Sequence, residues 1–260
     1  EAAMTWIGWL SGGPEDGGRA MSRDEILARR FSEQDAGSRI VRVHGWLRPT
    51  LSYGRGQRLA PARLDELRGA GIDRVRRPTG GGWLLHLPGD LAVTLAVAGP
   101  LRAGQLRGAA RFVSRLIATM LQEAGLAAAA SLGGGPERRR EEICFQRVDR
   151  DEVTVDGIKV AGVAVARLGR SGLVQAAMPL EPAPPELEQL AARWDPKRAA
   201  AAAVTQAVDR VWLRRAARAA AGRLAGAAVR RASWSPDLLR EAERLVGRLD
   251  RIPAAAREPS

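Results

Sequence analysis

The amino-acid sequence predicts an α+β fold, in which a mixed, largely antiparallel sheet is flanked by helices and followed by a helical C-terminal segment. Short stretches of alternating apolar and polar residues, separated by turn signals such as Asp156-Gly157, are typical of strands joined by hairpins. Longer amphipathic stretches between them predict helices, and helices packed on such a sheet define this fold class. With 260 residues, 45% of them hydrophobic, the chain can bury a sizeable core.

The first elements follow from local signals. Ser22 and Glu25 have the spacing of a capping box, which predicts a helix over residues 20–31. Alternation of apolar and polar residues predicts a strand over residues 40–47. A short helix is predicted over residues 61–70, because the segment begins with proline and is followed by glycine.

A glycine-rich loop separates the next predicted strands, at residues 73–77 and 83–87, and a third strand is predicted at 91–98. Apolar residues at helical spacing then predict a long amphipathic helix over residues 101–123. The remaining short apolar stretches predict strands at 143–145, 152–155, 158–167 and 172–179.

The composition changes after Pro179, where a proline-rich link over residues 181–185 leads into a segment rich in Ala, Leu and Arg. This segment predicts helices at 187–194, 198–224 and 236–249. We therefore predict a main domain over residues 4–185 and a helical C-terminal extension over residues 186–252.

Composition excludes several classes of protein. A single cysteine rules out an internal disulfide framework and is typical of a reducing cytoplasm. No cysteine or histidine cluster has the spacing of a zinc site, so we predict no metal site. The sequence has no apolar run of about 18 residues and no pattern of a signal peptide, so we expect a cytoplasmic protein without membrane spans.

The net charge of +12 indicates an acidic partner. We do not expect this partner to be nucleic acid, because the arginines are spread along the chain and form no basic block. Arg210, Arg214 and Arg218 share one face of a predicted helix at four-residue spacing. This face is either a solvated polar stripe or a docking face for an acidic partner.

The most informative segment spans residues 76–90, which combine two arginines, three consecutive glycines and His86. Consecutive glycines allow the backbone to approach a ligand closely and to point N–H groups at it. An arginine beside such a loop suits a carboxylate or a phosphate. The structural alternative is a glycine-rich hairpin turn with incidental arginines.

This segment resembles the signature Arg-Arg-x-Thr/Ser-Gly-Gly-Gly-x-x-x-His of the biotin/lipoate protein ligase and octanoyltransferase superfamily. Residues 51–57 resemble the Ser-x-Gly-x-x-Gln segment that precedes that signature, and residues 155–162 resemble the Gly-Arg-Lys-hydrophobic-x-Gly segment that follows it. The resemblance extends from about Trp6 to about Leu180. It implies a lipoate-ligase-like catalytic domain in which the signature wraps an acyl substrate.

The resemblance also implies roles for individual residues. Lys159 matches the family lysine that contacts the reacting carbonyl or the phosphate of an acyl-adenylate. Cys144 precedes Phe145 at the place where one branch, the octanoyltransferases, has its nucleophile. The positions that match substrate-binding residues are Arg77, Thr79, Gly80, Gly81, Gly82, His86 and Gly162.

The residues themselves leave alternatives open. Lys159 is one of only two lysines in an arginine-rich chain and lies in an apolar strand, which favours a need for an ammonium group, although it could also be a lysine that snorkels at a hairpin. A lone cysteine such as Cys144 is otherwise a small buried hydrophobe. His86 either shapes the tunnel, relays a proton or makes a structural hydrogen bond.

Three functions are compatible with these features. The favoured one is a cofactor-free transferase that takes an octanoyl or lipoyl group from acyl carrier protein onto Cys144 and passes it to a lysine of an acidic lipoyl-carrier domain, of glycine cleavage H protein or a 2-oxoacid dehydrogenase E2. The second is a lipoate–protein ligase that requires ATP and Mg²⁺. The third is a catalytically degenerate binding relative, since residues 162–165 and 175–177 lack polar groups that the family carries there.

Overall fold

The computed structural model describes residues 6–31, 37–131 and 152–249 of the chain. Cys144 and the predicted strand at 143–145 lie outside these residues. In chain order the elements are β1 (Trp6–Glu15), α1 (Gly17–Phe31), β2 (Arg39–Trp46), β3 (Thr50–Tyr53), α2 (Pro61–Gly69), β4 (Asp73–Arg76), β5 (Leu84–His86), β6 (Leu91–Val97), α3 (Gln105–Glu123), β7 (Ala128–Ala130), β8 (Val153–Val155), β9 (Ile158–Leu168), β10 (Ser171–Met178), α4 (Pro185–Trp194), α5 (Arg198–Thr205), α6 (Arg210–Ala225), β11 (Ala228–Arg231) and α7 (Pro236–Leu249).

Eight of these strands form one sheet in the order β11-β1-β2-β6-β10-β9-β8-β7. The β11–β1 and β1–β2 pairs are parallel, and the remaining neighbours are antiparallel. A second sheet of three strands has the order β4-β3-β5. The predicted fold class, a mixed and largely antiparallel sheet with flanking helices, is therefore confirmed.

Both faces of the large sheet are covered by helices. On β2, Val41 and Val43 point into the core formed with α3 and α6, whereas Ile40 points into the core formed with α1. On β6, Val93 and Ala96 divide in the same way between the two cores. Alternate residues of a strand point to opposite faces, so strands buried on both faces are apolar throughout.

The start of α1 differs from the prediction. The helix begins at Gly17, directly after β1, so Ser22 lies buried within it and does not cap it. Glu25 accepts a hydrogen bond from Arg29 Nε at 2.8 Å. This pairing, at the four-residue spacing of helix neighbours, replaces the capping box.

The C-terminal segment also departs from the prediction. The single helix expected over residues 198–224 is two helices, because the Asp209 side chain accepts hydrogen bonds from the backbone N–H groups of Val211 and Trp212 and starts α6. The strand β11 was not predicted, since its four residues carry no clear alternation. It pairs with β1 and so extends the large sheet. The predicted division into 4–185 and 186–252 stays a prediction.

Within the part of the chain that the structure describes, no helix is long and apolar enough to cross a lipid bilayer.

Candidate functional site

A small cavity lies between α1, the residues that flank the glycine loop and the inner strands β6, β10 and β9 of the large sheet. Its volume is about 20 Å³, which is room for about one water molecule. The lining residues are Met21, Asp24, Trp46, Arg77, Leu84, His86, Ala92, Thr94, Gly162, Ala164, Gln175, Ala176 and Ala177. A larger guest therefore enters only when the lining side chains move.

The glycine loop is held by close backbone contacts with the segment that follows β3. A Cβ at Gly54 would lie 2.1 Å from the carbonyl oxygen of Gly81, so a side chain cannot be placed there. Gly81 itself has a positive φ of 93°, a conformation that favours glycine. The Arg55 N–H donates to the Thr79 carbonyl at 2.8 Å and locks the two segments together. Two motifs that are separate in sequence thus form one unit.

Arg77 shapes this loop from within. Its Nη1 donates to Ser52 Oγ at 2.8 Å, and its Nη2 donates to the carbonyl oxygens of Gly80 at 3.0 Å and Gly82 at 2.5 Å. The guanidinium is buried and lines the cavity. Donors that bind loop carbonyls are not available for a substrate anion, so the arrangement indicates that Arg77 organises the loop.

The tip of the loop is tied to the sheet through a buried polar chain. Thr79 Oγ1 donates to Gln175 Oε1 at 2.7 Å, and Gln175 Nε2 donates to Asp24 Oδ2 at 2.7 Å. Thr94 donates to the same carboxylate oxygen at 2.8 Å, and Arg42 donates to the other oxygen. Sequence reasoning missed Gln175, Asp24 and Arg42 as parts of the site. The only signal was that Gln175 and Arg42 are polar residues within otherwise apolar strands, and Asp24 gave none.

His86 is a neutral imidazole in this setting. Its ring stacks on Trp46 with centroids 3.8 Å apart, and its Nε2 lies 2.6 Å from Ser52 Oγ. Burial lowers the pKa of His86 well below its usual value, and the positive charges of Arg77 and Arg198 lower it further. A histidine that stays neutral at physiological pH does not supply a positive charge to the site.

Lys159 lies at the start of β9 and does not line the cavity. It is 4% exposed, and its Nζ lies 2.5 Å from Oε1 of the buried Glu152. Gly162, three residues further along β9, lines the cavity. A buried ion pair of this kind holds the ammonium group at a fixed position.

The structure thus brings Arg77, His86 and Gly162 to one cavity, and it ties Thr79 to the cavity through Gln175. Lys159 does not line the cavity, and Cys144 lies outside the described residues. In the described ranges, with their gaps at 32–36 and 132–151, no cluster of His, Cys, Asp or Glu could hold a metal ion.

The predicted arginine face is partly engaged with the protein itself. Arg210 pairs with Glu181 at 2.8 Å, and Arg214 donates to the Gly12 carbonyl at 3.0 Å. Arg218 is exposed. Docking of an acidic partner on this face stays a prediction.

Comparison with known protein families finds a match to this chain. A model of the lipoyl protein ligase A/B catalytic domain matches residues 16–212. The chain belongs to this family. The match crosses the predicted boundary at 185 and includes α4 and α5.

Among curated proteins, the chain is 32% identical over 171 residues to the octanoyltransferase LipM of Symbiobacterium thermophilum, covering 64% of this chain and 61% of that protein. It is 29% identical over 174 residues to the octanoyltransferase LipM of Staphylococcus aureus, covering 63% and 61%. The chain thus spans about three fifths of the length of these relatives.

Solved structures agree on the fold. A putative lipoate protein ligase from T. acidophilum superposes with a TM-score of 0.74 at 20% identity, over 94% of this chain and 95% of that one. A lipoate-protein ligase A bound with ATP gives a TM-score of 0.73, also at 20% identity and with the same coverage. The fold predicted from the sequence resemblance is the fold of these proteins.

Proposed function

We propose that this protein is an acyltransferase of protein lipoylation, which moves an octanoyl or lipoyl group onto a lysine of a lipoyl-carrier domain. The observation that carries the proposal is the similarity to curated octanoyltransferases, together with the family match over residues 16–212, which include the glycine loop, His86 and Lys159. The acidic partner expected from the net charge of +12 fits a carrier domain. A solved T. acidophilum system pairs a bi-partite lipoate protein ligase with its E2 lipoyl domain, which supports the same class of acceptor.

The proposed reaction has two acyl transfers. The Cys144 thiolate attacks the thioester carbonyl of octanoyl-acyl carrier protein; the new C–S bond forms, the old one breaks, and the carrier leaves as a thiol after taking up a proton. The neutral ε-amine of the acceptor lysine then attacks the Cys144 thioester. An amide forms, the amine loses a proton, and Cys144 is released.

Each transfer passes through a tetrahedral oxyanion, and Lys159 is the cation proposed to stabilise it. A fixed ammonium costs no reorganisation when the charge develops, which is the basis of this kind of catalysis. Glu152 would hold that ammonium in place. No ATP, metal or other cofactor enters this scheme.

The cavity wall suits an apolar chain. Ala164, Ala176 and Ala177 line it with methyl groups, and Leu84 completes the apolar side. Val163, Val165 and Ala177 stand where the family signature carries polar groups. An octanoyl tail would displace the lining side chains and lie against these residues.

The ligase alternative requires the loop to hold a phosphate. Its support is the shared fold with an ATP-bound lipoate-protein ligase A. Arg77 weighs against it, because its donors bind the carbonyls of Gly80 and Gly82 and the side chain of Ser52.

Acylation of the purified protein tests the proposal. After incubation with octanoyl-acyl carrier protein and no ATP, we expect the intact mass to rise by one octanoyl group, and we expect no thioester adduct in Cys144→Ser. Transfer only with lipoate, ATP and Mg²⁺ would establish the ligase instead. No transfer under either condition would identify a binding relative without activity.

The loop contact gives a further prediction. Gly54→Ala is expected to lower the rate of octanoyl transfer about 100-fold, because the new methyl group would push the Gly81 carbonyl, and with it the loop, out of position. Gly56→Ala is the matched control, since nothing lies within 4 Å of a Cβ there. Steady-state kinetics of both variants check this, and equal rates would show that the loop position does not limit transfer.

A further inference from the structure

An open groove lies beside α6, apart from the small cavity. Residues of α6, of β1 and of the segment that follows β11 form its walls, and its volume is about 570 Å³. The lining contains no carboxylate and four arginines, which are Arg214, Arg215, Arg218 and Arg231. The groove thus has room for a segment of another protein, and its polar lining is strongly basic.

These four arginines differ from their neighbours on α6 in their partners. Arg210 and Arg223 of the same helix pair with Glu181 and Glu123. Within the part of the chain that the structure describes, none of the four groove arginines makes an ion pair with a carboxylate. Positive charges that converge on one groove repel one another, so the groove favours a negatively charged occupant.

One wall of the groove is the edge of a strand. β11 pairs with β1 as far as Trp9, whose carbonyl accepts a hydrogen bond from the Ala232 N–H at 2.8 Å. Alternate residues of a strand direct their backbone groups to the same side, so Ser11 directs its N–H and carbonyl to the side that β11 occupies at Trp9. Ser11 is exposed and lines the groove. An open edge of this kind is a template for an added strand.

The groove lies close to the candidate site. The ring centroid of Trp234, which lines the groove, is 5.7 Å from the guanidinium carbon of Arg42. Arg42 donates a hydrogen bond to Asp24, and Asp24 lines the small cavity. Two side chains, those of Trp234 and Arg42, therefore connect the groove to the cavity wall. A domain bound in the groove would lie beside the cavity.

We propose that this groove docks the acceptor of the acyl group, a carrier domain that adds an extended segment with acidic side chains to the edge of β1. The inference rests on the proposed function, because that function supplies a carrier domain as the partner. Backbone hydrogen bonds to the strand edge would hold the segment, and the arginines would select acidic side chains. A helical partner would use the arginines but not the strand edge, which is why we expect an extended segment.

Charge reversal on α6 tests this inference. With an apo E2 lipoyl domain as acceptor, we expect Arg215→Glu combined with Arg218→Glu to raise the KM for that domain by about 10- to 100-fold, with kcat and the KM for octanoyl-acyl carrier protein unchanged. Both arginines are exposed, so the fold should tolerate the exchange. Arg107→Glu combined with Arg115→Glu is the matched control, because it changes the net charge equally at exposed positions of α3. Equal effects of the two pairs, or a rise confined to the KM for the donor, would overturn the inference.

A second readout needs no turnover and separates this inference from the proposed function. Hydrogen exchange is followed by mass spectrometry with and without the apo lipoyl domain, in the absence of any acyl donor. We expect the domain to slow exchange in peptides that contain Ser11, in wild type and in the α3 variant but not in the α6 variant. Unchanged exchange at Ser11 in wild type would overturn the inference even if octanoyl transfer is observed. Slower exchange at Ser11 without any transfer would support the groove and count against the proposed function.

Discussion

Replacing Arg198 with methionine is expected to lower the free energy of unfolding by about 3–5 kcal/mol at pH 8, the largest effect on stability that we expect from a single substitution. Arg198 is 1% exposed, and its Nη2 makes an ion pair with both oxygens of Asp90, which is 2% exposed. Without the guanidinium, the Asp90 carboxylate stays buried, and among the described residues the backbone N–H groups of Leu87 and Leu180 are what remains to bind it. Methionine fills much of the volume of the arginine side chain. The loss of stability therefore reports the missing positive charge and not a cavity.

The destabilisation by Arg198→Met should depend on pH, and the protonation of Asp90 and Asp195 determines the direction of this dependence. Burial raises the pKa of Asp90, and it raises the pKa of Asp195 to about 7, while Arg198 lowers both. A carboxyl with a raised pKa stabilises the folded protein in acid, and this contribution is lost as pH rises from the ordinary value near 3.8 to the raised one. Removing Arg198 raises both values further, so Arg198→Met should be less destabilising at pH 5 than at pH 8.

Denaturant unfolding at the two pH values measures this difference. Arg215→Met is the matched control, because Arg215 is exposed on α6, and its loss should change stability by no more than about 0.5 kcal/mol. Equal destabilisation of Arg198→Met at both pH values would mean that the guanidinium acts through packing and not through the two carboxyls.

The parts of the site that come from contiguous sequence were predictable, because local chemistry determines them. The glycine loop was recognised from its residues and the segment after β3 from its resemblance to a family signature, and Gly54 allows the close contact between the two. The fold class followed from alternation and hairpin signals, which depend on neighbours in the chain. These features need no knowledge of distant contacts.

The parts that depend on tertiary pairing were not predictable. Gln175 was read as the loss of a polar group, yet it is the residue that joins Thr79 to Asp24. Ser22 was predicted to cap the first helix, although α1 begins five residues earlier, at Gly17. Asp195 gave no signal at all, since a carboxylate before a proline is ordinary on a surface, whereas the folded chain leaves it 1% exposed.

Replacing Lys159 with arginine is expected to lower the rate of octanoyl transfer about 100- to 1000-fold with little change in KM. The substitution keeps a positive charge beside Glu152, so the fold is not left with an unpaired buried carboxylate. A guanidinium is, however, planar and larger than an ammonium, and it would bind Glu152 through a fork that directs its donors away from a reacting carbonyl. Arginine is abundant in this chain, with lysine at only two positions, which makes the exchange a test of the ammonium itself.

Lys197→Arg provides the matched control, since Lys197 is exposed just before α5 and should tolerate the change without loss of rate. Single-turnover transfer from preformed acyl-enzyme separates the second step from the first. If Lys159 stabilises both oxyanions, as one fixed charge beside one reacting carbonyl must, then Lys159→Arg slows acylation and deacylation by similar factors. A loss confined to acylation would show that Lys159 acts on the Cys144 thiol instead, and a rate within tenfold of wild type would reduce its role to the pairing of Glu152.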